Sequence, residues 1–149
     1  MITVDLIAGA RPNFMKAAAI CTVASQFPKL TLRLVHTGQH YDEAMSDVFF
    51  KELGLPEPVT HLECGSGTHA AQTALVMERY GTWIQSNRPD MCMVVGDVNS
   101  TVACALVAAK EHIPVAHVEA GLRSFDRTMP EEINRIVTDA IADLSLIHI

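Results

Sequence analysis

The chain has 149 residues, 49% of them apolar and 19% charged, with a net charge of −6. That length supports one domain with a buried core, and the composition excludes a disordered chain. The acidic excess argues against a nucleic-acid or anionic-membrane binder, since either needs a basic face, but leaves room for a small anion held by a few local cations.

In chain order, ITVDLIAG reads as a strand, and a helix is expected from about Asn13 to Gln26. Pro12 stands near the start of that helix, where a missing N–H is tolerated. LTLRLVH is a second strand. Met45, Val48, Phe49 and Leu53 then recur on one helical face, and Gly54 and Pro56 end that helix. The loop after it carries a short expected strand at Val59–Leu62, and a long helix is expected from Thr68 to Ser86, stopped by Asn87–Pro89. MCMVVGD is a continuous apolar run, as a strand covered on both faces requires. NSTVACALVAAKEH is the next helix, with Asn99 or Ser100 as its cap. IPVAHVE is another buried strand, and a last helix runs from about Met129 to Asp143.

The four cysteines, Cys21, Cys64, Cys92 and Cys104, show neither CxxC pairing nor zinc-like spacing with histidine. Cys92 and Cys104 read as small buried thiols, and reduced cysteines point to the cytosol. No basic-then-apolar leader opens the chain, and no apolar run approaches the roughly 18 residues of a membrane span. A cytoplasmic location without membrane contact is therefore the expectation.

Strands alternating with helices favour an open, mostly parallel sheet with helices on both faces. In such sheets the carboxyl ends of the strands share one edge, where ligands bind. The residues just past each strand are therefore the candidates for one site. Arg11 and, one turn into the helix, Lys16 follow the first strand. Gln39 and His40 follow the second, Asp97 and Asn99 the strand ending at Val95, and Glu119 closes IPVAHVE. A purely structural rim would carry more Gly, Ser, Asn and Asp as caps.

Each candidate has an ordinary alternative. Asp97 fits a turn or cap as well as a site. Glu119 is harder to explain structurally, because a carboxylate on a buried apolar strand is costly unless it is paired or useful. Thr128 and Glu131 have capping-box spacing with Pro130 in the first turn, a role compatible with a place at the cleft mouth. Arg123, Arg127 and Arg135 fit charge balance, and His117 fits a satisfied core residue. GARPN matches neither the GxGxxG fingerprint nor a P-loop, so NAD and ATP are poorly supported.

The segments GARPNFMK, HTGQHYDEAMSDVFF, GSGTHAAQT, VVGDVNST and HVEAGLRSFDRTMPEEINR, in that order, resemble the bacterial non-hydrolysing UDP-N-acetylglucosamine 2-epimerase family over Met1 to about Leu144. The resemblance implies a Rossmann-like, doubly wound parallel sheet forming the N-terminal half of a glycosyltransferase-B-like two-domain fold. The implied reaction interconverts UDP-N-acetylglucosamine and UDP-N-acetylmannosamine by elimination of UDP and its re-addition through 2-acetamidoglucal. Carried onto matching positions, the catalytic carboxylates fall on Asp97, Glu119 and Glu131, and the important cations on Arg11 and Lys16. With the rim candidates, the substrate-binding set becomes Arg11, Lys16, His40, Asn99 and Arg135. No metal or redox cofactor is required, and a cytoplasmic homodimer supplying surface polysaccharide synthesis is implied.

Two departures shape the expected organisation. The resemblance places a second domain, with most nucleotide contacts and another catalytic histidine, beyond this chain. The last six residues, LSLIHI, leave the family pattern. Residues 1–143 are thus expected to be an incomplete Rossmann-like domain, and 144–149 a non-native tail translated from a library adapter or a divergent strand. Three further readings share these motifs: a 2-epimerase of a related UDP-2,3-diacetamido sugar, a hydrolysing epimerase, and a nucleotide-sugar-binding module without turnover.

Overall fold

A computed structural model describes residues 1–38 and 43–147, without the side chains of 43–46. Strands β1 (Ile2–Ala8), β2 (Leu30–His36), β3 (Thr60–His61), β4 (Met91–Val95), β5 (Val115–Val118) and β6 (Leu144–Leu146) form one sheet in the order β3-β2-β1-β4-β5-β6. Every neighbouring pair is parallel. Helices α1 (Arg11–Ala24), α2 (Glu43–Leu53), α3 (His69–Ser86), α4 (Asn99–Lys110) and α5 (Pro130–Ile141) make the crossovers. The expected doubly wound α/β sheet is therefore what the chain forms. Leu144–Leu146, set apart above as a tail, runs beside β5 with Ala116 opposite Leu144.

Alternation along the strands divides the core, because successive side chains point to opposite faces. Ile7, Val35, Cys92, Val94 and Val115 pack with Val76, Tyr80, Ile84, Cys104 and Val107 of α3 and α4. Leu6, Ala8, Leu34 and Val95 pack on the other face with Phe14 and Ala17 of α1. Each such aliphatic side chain, taken fully out of water, contributes about 1.5–3 kcal/mol. Cys92 and Cys104 are both fully buried, as expected of packing thiols, and all four cysteines are free. Among the described residues no helix is long and apolar enough to cross a membrane.

The start of α1 and the cap of α4 differ from expectation for one reason: a polar side chain is used across the fold instead of locally. α1 begins at Arg11 rather than Asn13 because Asn13 lies inside its first turn. Its Oδ1 accepts the Gly9 and Ala10 N–H groups, each at 3.2 Å. Its Nδ2 donates to the Val95 carbonyl at 3.2 Å, joining the ends of β1 and β4. α4 has Val98, not Asn99 or Ser100, at its cap. Asn99 turns to the α3 residues Gln72 and His69, and Ser100 Oγ lies 2.7 Å from Thr37 Oγ1. In contrast, Thr68, expected to open α3, stands one residue before it as a local cap, accepting from Ala71 N at 3.2 Å.

Strand order reverses between β1 and β4, the crevice where parallel sheets bind ligands. Gly9 sits there under close approach: a Cβ on it would lie 2.5 Å from Ser100 Oγ and 2.7 Å from Thr37 Oγ1. Gly9→Ala is expected to cost about 1–3 kcal/mol by overpacking, read as a lower denaturant midpoint with an unchanged slope.

Candidate active site

At the carboxyl edge of the sheet the chain leaves β4 and β5 through left-handed backbone. Gly96 has φ +74° and Glu119 has φ +63°. The first suits glycine. The second is a carboxylate residue in a region that costs a non-glycine residue about 1–3 kcal/mol and that concentrates at functional sites. The two exits are adjacent, since Val95 is in register with Val118 and Gly96 N donates to the Val118 carbonyl at 3.0 Å.

Lys16, one turn into α1, forms an ion pair with Glu119 Oε1. The pair joins the exit of β1 to that of β5 across β4, and its side chains keep 37% and 34% of their surface in solvent, so both can reach a ligand. Gly96 lies directly against this pair and the α1 start: a Cβ there would stand 3.7 Å from Glu119 Oε1 and 3.4 Å from Asn13 Nδ2. Arg11, the first residue of α1, has its guanidinium 5.1 Å from the centre of the Phe49 ring, a cation–π contact that leaves its outer face exposed.

Asp97 is held by Arg135, whose Nη1 donates to Asp97 Oδ2 at 2.6 Å. Arg135 is itself nearly buried and also bonds Glu132 Oε2 from Nη2 at 2.8 Å. Asn134 donates to the Asp97 carbonyl at 2.9 Å and to Asn99 Oδ1 at 3.2 Å. Asp97, Asn99 and Arg135 therefore form one connected group. Arg135 faces two carboxylates, so in this arrangement it orients Asp97. His40, expected on the same rim, lies outside the described residues.

The capping box expected of Thr128 and Glu131 is not formed. α5 begins at Pro130 with Met129 as its cap, and the Thr128 N–H and hydroxyl both donate to Asp126 Oδ1, at 3.0 and 2.6 Å. The reaching-back role falls to the next residue. Glu132, buried, accepts from Ser124 N at 2.9 Å and Phe125 N at 3.2 Å. The Ser124 N–H bond, working against burial and helped by Arg135, pulls the Glu132 carboxyl down to about 2. Glu131 is left half-buried in the first turn of α5, one residue from that anchor.

Sequence reading overlooked Asn13, Glu132 and Asn134 as organisers of this edge. A signal for one of them was present: Glu132 and Arg135 stand three apart on a helix, the spacing of a side-chain ion pair. His117, expected in the core, is fully buried with partners at both ring nitrogens. Among the described residues no group of three or more His, Cys, Asp or Glu is placed to hold a metal ion.

The sequence profile described as UDP-N-acetylglucosamine 2-epimerase matches residues 23–148. A UDP-2,3-diacetamido-2,3-dideoxy-D-glucuronate 2-epimerase of Pseudomonas aeruginosa is 46% identical over 138 residues, covering 93% of this chain and 39% of its own length. A UDP-N-acetylglucosamine 2-epimerase of Methanocaldococcus jannaschii is 47% identical over 138 residues, covering 93% of this chain and 37% of its own. The crystal structure of a Methanocaldococcus jannaschii UDP-GlcNAc 2-epimerase in complex with UDP-GlcNAc and UDP superposes with a TM-score of 0.89 at 46% identity, covering 95% of this chain and 39% of that one. The chain thus spans about two-fifths of the length of these relatives.

Proposed function

The chain belongs to the UDP-N-acetylglucosamine 2-epimerase family, and from that premise we propose that the full-length protein interconverts UDP-N-acetylglucosamine and UDP-N-acetylmannosamine. The C2 proton of the sugar is not beside a carbonyl, so simple deprotonation would leave an unstabilised carbanion. In the proposed route the C2–H and C1–O bonds both break. The C–H electrons form the C1=C2 bond of 2-acetamidoglucal, and UDP leaves with the C1–O pair. A proton then returns to the opposite face of C2 as UDP re-adds to C1.

Asp97, Glu119 and Glu131 supply the acid and base groups this needs, and their negative charge favours oxocarbenium-like character at C1. Arg11 and the N-terminus of α1 receive the departing diphosphate, and Lys16 is placed to follow it. The observation that carries this reading is the Lys16–Glu119 pair, part-exposed beside Gly96 where β1, β4 and β5 end. It brings a proton-transfer group and a phosphate-binding group to one spot. The full-length protein is read as a cytoplasmic homodimer, and this segment alone as inactive.

The experiment is turnover in deuterated water. UDP-N-acetylglucosamine is expected to gain deuterium at C2 and to equilibrate with its 2-epimer. A folded full-length preparation that incorporates none, and releases no free sugar, overturns the proposal. Free N-acetylmannosamine as the main product would instead mark a hydrolysing enzyme. A second substrate, a UDP-2,3-diacetamido uronic acid, is favoured by the 46% identity to the diacetamidoglucuronate 2-epimerase, on a par with the 47% to the N-acetylglucosamine enzyme. A panel of both nucleotide sugars, compared by kcat/KM, decides between them.

A further inference from the structure

The geometry points to His117 and Asp139 as positioning residues, a part-buried pair that fixes the two strand exits presenting Asp97 and Glu119. This inference rests on the epimerase reading above. His117 is 0% exposed on β5, so it acts through other groups. Its Nε2 lies 2.7 Å from the carbonyl oxygen of Gly96, the residue before Asp97. Its Nδ1 lies 2.6 Å from Asp139 Oδ1 on α5. The other carboxylate oxygen of Asp139 accepts from Gly121 N at 3.0 Å, two residues past Glu119, and from Arg123 Nη1 at 2.6 Å.

One imidazole–carboxylate pair therefore grips both turns. Gly96, Glu119 and Gly121 all have positive φ, at +74°, +63° and +80°. The two glycines adopt such backbone freely and so need outside contacts to stay fixed, whereas Glu119 holds it only when its surroundings over-determine it. The pair does this from β5 and α5, through the Gly96 carbonyl on one turn and the Gly121 N–H on the other. Burial pushes the Asp139 carboxyl up, but the Arg123, Gly121 and His117 contacts together hold it below the ordinary range. Stability alone is a poor explanation for the arrangement, because replacing both partners of a buried hydrogen bond by apolar groups of the same shape can be nearly neutral. Geometry explains it better. A displacement of about 1 Å at a reacting group costs on the order of 100-fold in rate.

The test uses the full-length protein. His117→Asn retains a donor where Nδ1 stands and loses contact with Gly96. His117→Gln reaches Gly96 and loses Asp139. Asp139→Asn weakens the grip on Gly121 and Arg123. His117→Asn and Asp139→Asn are expected to lower kcat on the order of 100-fold with KM little changed, and His117→Gln to recover part of the loss.

Asp5→Asn is the structural control. It disrupts a buried pair with Arg33 elsewhere in the sheet, and should lower the melting temperature while leaving kcat per folded molecule unchanged. If His117→Asn and Asp139→Asn behave like that control, the inference is wrong. Should His117→Asn fail to fold, Arg123→Gln at a part-exposed position is expected to lower kcat more mildly, and a wild-type kcat in it overturns the inference. Amide hydrogen exchange at 96–97 and 119–121 provides a readout that needs no substrate. Faster exchange is expected in His117→Asn or Asp139→Asn, and wild-type protection at those amides overturns the brace even if the enzyme acts on another sugar. Failure of the wild type to exchange deuterium at C2 would instead count against the function alone.

Discussion

Glu119→Gln is expected to lower the kcat of the full-length protein by about 10²–10⁴-fold, the range for loss of a positioned acid or base. The amide fills the same space but cannot take or return a proton, and it removes the negative partner of Lys16. C2 deuterium incorporation should fall in parallel with net epimerisation, because both need the same C–H cleavage. Stability should hardly move: the Lys16–Glu119 pair is about one-third exposed, and such pairs contribute roughly 0–1 kcal/mol. The contrast between a large kinetic loss and a small thermal shift separates a chemical role from a structural one. Retention of wild-type kcat would remove Glu119 from the chemistry and, with it, the observation on which the functional reading stands.

The second large effect is loss of stability in mild acid, traced to His36. The ring is 1% exposed at the end of β2, packed against Phe14 and Phe50 with centroids 5.0 and 5.7 Å away. Its Nδ1 accepts the Gly38 N–H at 2.9 Å, a bond that requires that nitrogen to be unprotonated. Burial, with His61 adding to it, lowers the pKa from 6.5 to about 4. The sign follows from linkage. As pH falls through 6.5 the unfolded chain takes up a proton that the folded one refuses until about 4. Stability is thus full above 6.5, declines between 6.5 and 4, and loses nothing further from this group below that. The gap corresponds to about 3 kcal/mol. Denaturant unfolding at neutral pH and near pH 4 measures the decline, and His36→Phe should abolish most of it while costing about 1 kcal/mol at neutral pH for the lost Gly38 bond. An unchanged pH dependence in that variant would assign the acid loss elsewhere.

The chain order of β1 to β5 and of the helices, the parallel sheet, and the placement of Arg11, Lys16, Asp97, Asn99 and Glu119 just past strand ends were legible because each depends on local pattern. Apolar runs of strand length such as MCMVV, and helical spacing between turn residues, carry their own period. The helix starts were less legible. Asn99, Ser100 and Thr128 all have the chemistry of caps, yet each spends its side chain on another partner. Local propensity lost there to contacts that propensity cannot encode.

The sequence by itself determined the fold class, through alternating periods, and the family, through motifs that keep their order over nearly the whole chain. Only the tertiary structure decided the partnerships: Lys16 with Glu119 across 103 positions, Asp97 with Arg135, and His117 with Gly96 and Asp139. It alone gave Glu119 its left-handed backbone. The physical reason is that periodicity sets which way a side chain faces within its own element. Which charge meets which is fixed only when the sheet brings distant strand ends to one edge.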